Sequence, residues 1–143
     1  MQPLMRYSIY TSGVRIQPRI QLLAYMDCVF CKIINKEIPS EIIDETEDII
    51  AIVPLGQVSK GHTLLIPKKH FENILDCDEE TLALLAKETK RLAKMLIEKN
   101  GATGFNLLNA NGKDAQQSVF HLHLHIVPRY PGDGLDLWIK QGL

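Results

Sequence analysis

The spacing of apolar positions changes several times along the chain, and each change predicts an element. The longest regular stretch runs from residue 79 to 100, where Leu82, Leu85, Thr89, Leu92 and Leu96 recur at three- and four-residue intervals. That spacing predicts an amphipathic helix. Asp78 is placed to cap its start, Glu79 and Glu80 suit the positive N-terminus, and Lys99 and Gly101 suit the end. Shorter apolar runs bounded by turn residues predict strands at 41–45, 49–53, 62–67 and 104–109. The segment CVFCKIINKEIPS predicts a short helical turn that ends before Pro39.

The segment HLHLHIV, residues 121–127, alternates strictly. In a strand this puts His121, His123 and His125 on one face, about 7 Å apart at each step, with Leu122, Leu124 and Ile126 on the other. Pro128 is expected to close the strand, because proline cannot donate to a ladder. Five strands with one long and one short helix do not alternate as βαβ units. The expected fold class is therefore α+β, with a five-stranded antiparallel sheet.

Composition narrows the function. The chain has 143 residues, 45% hydrophobic and 23% charged, with a net charge of −1. That size suits one domain with its own core. No global basic field points to nucleic acid, and no apolar run approaches the roughly 20 residues needed to span a bilayer. Of 16 Lys and Arg, three (Arg6, Arg15, Arg19) lie in the first 25 residues, which hold no Asp or Glu. From Met26 onward 13 basic residues face 17 acidic ones, a balance of −4. Residues 1–25 read as a weakly ordered extension, or as a targeting segment, ahead of a domain spanning 26–143.

Three cysteines do not make a disulfide framework, and their odd number fits a reducing cytoplasm. Cys28 and Cys31 form a CxxC, which by itself is compatible with zinc, redox chemistry or neither. A thioredoxin-type motif belongs in a βαβ pattern, which is missing. His70, just past a strand end, and His121 would complete a Cys2His2 zinc site that ties the N-terminal segment to the sheet. Cys77 has no partner in the pattern. His62, His123 and His125 then remain for chemistry, since neutral imidazole is nucleophilic near pH 7.

HLHLHIV, together with CVFCKIINKEIPS, KGHTLLIPKKH and QSVFHLHLHIVPRY, resembles the histidine triad (HIT) superfamily, in its zinc-containing prokaryotic Hint-like form. The similarity runs from about Asp27 to Gly134. It implies a homodimer that binds a purine nucleotide and cleaves its α-phosphate from a leaving group, as in nucleoside phosphoramidases. It also implies that His123 is the nucleophile, that Gln117 and Ser118 contact phosphate, that His125 lines the phosphate site and that His62 supports it. The same resemblance assigns structural zinc to Cys28, Cys31, His70 and His121.

Three positions depart from the family pattern. Pro54 stands where an Asp usually holds the ribose hydroxyls, Ala110 where an Asn often stands, and Gln116 where a Gly usually precedes Gln117. Two other functions stay open on the residues alone. One is a nucleotide-binding or interaction protein with little turnover, which the change at Pro54 favours. The other is a dinucleoside polyphosphate hydrolase, for which Lys68, Lys69 and Arg129 are the clustered cations.

Overall fold

The computed structural model describes residues 22, 23 and 26–140. The expected extension at 1–25 lies almost wholly outside the described residues. In chain order the elements are α1 (Val29–Ile34), β1 (Ile42–Glu45), β2 (Ile49–Ile52), β3 (Thr63–Pro67), α2 (Glu79–Asn100), β4 (Gly104–Leu108), a 3-10 turn (Lys113–Ala115) and β5 (Leu124–Arg129). The strands form one sheet in the order β1-β2-β3-β5-β4, with every neighbour antiparallel. This is the α+β architecture expected.

Helix α2 forms as its sequence signals require. Asp78 Oδ1 accepts the Thr81 N–H at 2.7 Å. Gly101 ends the helix in the left-handed conformation, φ 72°, where a side chain would be strained. Leu85, Leu92, Ala93 and Leu96 are buried against Ile49, Ala51, Leu65, Leu122 and Ile126. Alternation then sends Ile50, Ile52, Leu64 and Ile66 to the opposite face, where Phe30, Cys31 and Ile33 of α1 cover them. Two apolar clusters thus sandwich the central strands.

The histidine segment departs from the expected strand at both ends. Regular pairing of β5 begins only at Leu124, opposite Leu65. Continuing the register would oppose Leu122 to Pro67, which has no N–H to offer. The Leu122 N–H instead donates to the Phe71 carbonyl at 2.7 Å. At the other end Pro128 does not close the strand but lies inside β5, opposite Phe105. The β3 pairing has ended by then, at Thr63 and Ile126. Only β4 flanks β5 at that point, and a proline is tolerated on such a local edge.

Candidate functional site

His121 sits in the segment between the 3-10 turn and β5, fully buried. Its Nε2 is 2.8 Å from the Pro67 carbonyl, which can only accept, so Nε2 carries the proton. Nδ1 therefore presents a lone pair, and it faces Cys28 Sγ at 3.3 Å and Cys31 Sγ at 3.5 Å. His70 Nδ1 lies 3.3 Å from Cys31 Sγ. All four donor atoms fall within 4.8 Å of one another. Metal–ligand bonds of about 2.1–2.3 Å in a tetrahedron put neighbouring donors about 3.6 Å apart, so the arrangement fits a zinc ion held by four protein ligands. The thiols are already differentiated. The hydrogen bond from the Cys31 side chain holds Cys28 well below its ordinary thiol range. Sharing that proton, with burial, pushes Cys31 up.

The other three histidines form a chain of rings beside this group. His123 Nδ1 lies 2.8 Å from the His121 carbonyl, so Nδ1 is the protonated nitrogen and Nε2 keeps its lone pair. The Val58 N–H donates to His62 Nδ1 at 3.2 Å, which leaves the proton of His62 on Nε2. That N–H reaches His125 Nδ1 at 3.0 Å. His125 then carries its own proton on Nε2. Two tautomers follow, the first from a backbone carbonyl and the second from a backbone N–H relayed through His62: an unprotonated Nε2 on His123 and an N–H on His125. The rings of His123 and His125 are 5.2 Å apart between centroids.

Burial keeps all three rings neutral. It lowers the pKa of His62 and, against the hydrogen bond to the His121 carbonyl, that of His123. His125 falls to about 4, from burial first and then from the neighbouring His123 and His62. Neutral imidazoles can serve as a nucleophile and a donor without a metal at the reacting centre.

The loop before the histidines is held by Gln117. Its Oε1 accepts the Gly112 N–H at 2.8 Å, and its Nε2 donates to the carbonyls of Glu72 at 2.6 Å and Val119 at 3.0 Å. The side chain is buried and its donors are used internally, so it ties the loop down rather than offering them outward. Ser118 beside it is exposed. Gln116 adopts a left-handed φ of 67°, which strains a non-glycine residue by about 1–2 kcal/mol. The structure thus explains why glycine would suit that position.

Several partners carry no local sequence signal. Asn109 Nδ2 donates to the His123 carbonyl at 3.0 Å, and Asn111 Nδ2 donates to Asn109 Oδ1. Phe30 meets the rings of His121 and His123 edge-on, at 5.8 and 5.1 Å between centroids. The three candidate cations are not clustered, Lys68 and Lys69 lying at one end of the sheet and Arg129 at the other, and each is paired. Lys68 pairs with Glu45 at 2.9 Å and Lys69 with Asp78 at 3.7 Å. Arg129 holds Asp133 through two nitrogens, at 2.8 and 2.9 Å.

The HIT domain profile matches residues 35–132, more than half of the chain, and the protein belongs to the HIT family. It is 36% identical over 104 residues to adenosine 5'-monophosphoramidase hnt1 of Schizosaccharomyces pombe, covering 73% of this chain and 75% of that protein. It is 32% identical over 142 residues to adenylylsulfatase HINT3 of Arabidopsis thaliana, covering 99% of this chain and 71% of that one. Among solved structures, a zinc-bound histidine triad family protein from Mycobacterium smegmatis superposes with a TM-score of 0.76 at 40% identity, over 79% of this chain and 82% of that one.

Proposed function

We propose that the protein is a nucleotide hydrolase that cleaves the α-phosphate bond of purine nucleoside phosphoramidates or related conjugates through a nucleotidyl-His123 intermediate. The observation that carries this reading is the His123 tautomer, with Nδ1–H on the His121 carbonyl and a free lone pair on Nε2. The two named relatives act on adenylyl groups bearing different leaving groups, nitrogen in one and sulfate in the other. The common part is the adenylyl group, so the reading commits to that and to histidine as its acceptor.

His123 Nε2 attacks the α-phosphorus. The bond to the leaving group breaks, and its electron pair departs with that group, which collects a proton. Water then attacks the same phosphorus, releases the nucleoside monophosphate and returns the ring neutral. His125 Nε2–H, Ser118 and those backbone N–H groups of the 112–117 loop that the loop does not itself use donate to the phosphoryl oxygens, where negative charge develops. His62 holds His125 in the donating tautomer. Cys28, Cys31, His70 and His121 would hold a structural zinc ion, which when bound ties α1 to the segment carrying the nucleophile.

A second reading, nucleotide binding with little turnover, draws on Pro54, which offers no carboxylate to ribose hydroxyls. Dinucleoside polyphosphate hydrolysis has less support, because Lys68, Lys69 and Arg129 are engaged in ion pairs. Incubation with adenosine 5'-phosphoramidate separates these readings. Release of AMP, with acid-labile α-phosphate label on the quenched protein, is expected; binding of AMP without release selects the second reading.

The same proposal includes a homodimer in the cytoplasm. Phe105 and Leu107 are exposed on β4, beside a groove lined by Ala86, Ala93 and Ile97 of α2. Such a surface asks for a partner. The free thiols of Cys28, Cys31 and Cys77 suit a reducing compartment. Among the described residues no helix is long and apolar enough to cross a membrane. Light scattering at micromolar concentration checks the dimer, and the mass of a single chain would overturn it.

A further inference from the structure

His123 lies in a segment that the sheet does not hold. Registered pairing of β5 starts at Leu124 with β3 and at His125 with β4. The carbonyl that sets the His123 tautomer belongs to His121, two residues earlier. That carbonyl is aimed by other means. Nε2 of His121 is anchored on the Pro67 carbonyl, and Nδ1 faces the two sulfurs, where a bound metal would anchor it as well. With the ring then pinned at both nitrogens inside a closed core, the peptide unit that follows has little freedom. A second link runs through Phe30, which lies between Cys28 and Cys31 in sequence. Phe30 is buried and packs edge-on against His123.

From this geometry we propose that the Cys28/Cys31/His70/His121 group is a positioning device for His123: loading it with metal holds the His121 carbonyl on His123 Nδ1 and so keeps Nε2 free. The inference deepens the proposed function and rests on His123 as nucleophile. It differs from a purely structural role in what it expects of the folded protein without metal. A staple alone would change stability and leave the ring unchanged. A positioning device would let His123 exchange between tautomers, so that Nε2 carries the proton part of the time and cannot attack.

The test uses the full chain, loaded with zinc alone, stripped with a chelator, and reloaded. The side-chain nitrogen shifts of His123, read by 15N NMR without substrate, report the tautomer. The expected result is an Nδ1-protonated ring in the loaded protein and a mixed ring in the stripped one. Turnover on adenosine 5'-phosphoramidate should then fall in proportion to the Nδ1-protonated fraction lost, with the Kd for AMP unchanged and recovery on reloading. If stripping unfolds the chain, His70→Ala, which removes the least buried ligand and keeps both thiols, takes its place in the same measurements. An unchanged His123 tautomer in the folded, metal-depleted protein would overturn the proposal, whatever its melting temperature. A loaded protein with the expected tautomer but no hydrolysis would instead overturn the proposed function.

Discussion

The two faces of the sheet are held by different physics. On one, a 22-residue helix buries a periodic stripe of leucines over Ile49, Leu65 and Ile126. On the other, a six-residue helix covers Ile50, Ile52, Leu64 and Ile66. A helix of six residues is too short to be stable by itself. Its caps are chemical instead: Cys28 accepts the Cys31 N–H at its own N-cap, and both thiols reach the imidazoles of His70 and His121. The first face is built to be stable. The second trades buried area for polar groups in defined orientations, and all the candidate chemistry lies there.

That contrast can be broken most sharply at His123. Replacing it with Ala removes the proposed nucleophile and leaves Leu122 and Leu124 in place. Turnover on adenosine 5'-phosphoramidate should drop by several orders of magnitude while the protein still folds, its urea midpoint lowered by the loss of a buried ring packed on Phe30. Retained turnover would move the chemistry off this face.

Leu92→Ala makes the opposite cut. Leu92 is 1% exposed in the α2 cluster, so its truncation should destabilise the protein by about 2–5 kcal/mol. Urea unfolding reads the loss, and turnover per folded molecule should be unchanged. A fall in turnover without a fall in stability would mean the faces are not separable.

The histidine face should also set the acid limit. His125 is lowered from its ordinary value of 6.5 to about 4, so the folded state prefers it neutral. The unfolded chain therefore binds the proton first. The contribution is complete above about pH 6.5 and is lost as the pH falls from there toward 4. His125→Asn should flatten the urea midpoint over that window while changing little above pH 7. A variant that follows the wild-type curve would exclude His125 as a source.

The smallest expected effect is at Gln116, strained at a φ of 67°. Gln116→Gly should relieve this and raise stability by up to about 1 kcal/mol, measured by urea unfolding. A loss of stability there would show that the side chain holds the loop.

Local signals made one face legible and only the ingredients of the other. Helix α2, its Asp78 cap and its Gly101 stop follow from interactions three to five residues apart, and those survive any tertiary arrangement. The alternation of HLHLHIV separated Leu122 and Ile126 from the three histidines for the same reason. CxxC with His70 and His121 was readable as a metal set because donor chemistry is a property of residue type. Partner choice is another matter, because it depends on groups brought together by packing. Cys28 and His121 are 93 residues apart. The late start of β5 follows from where Pro67 falls in the register, and the place of Pro128 inside β5 from where β3 stops. Gln117 turned inward because the Glu72 and Val119 carbonyls lie within its reach, and Arg129 closed on Asp133. Which nitrogen of His62, His123 and His121 carries the proton was decided by the Val58 N–H and the carbonyls of His121 and Pro67. Residue type can say that an imidazole is present, but only the fold can aim it.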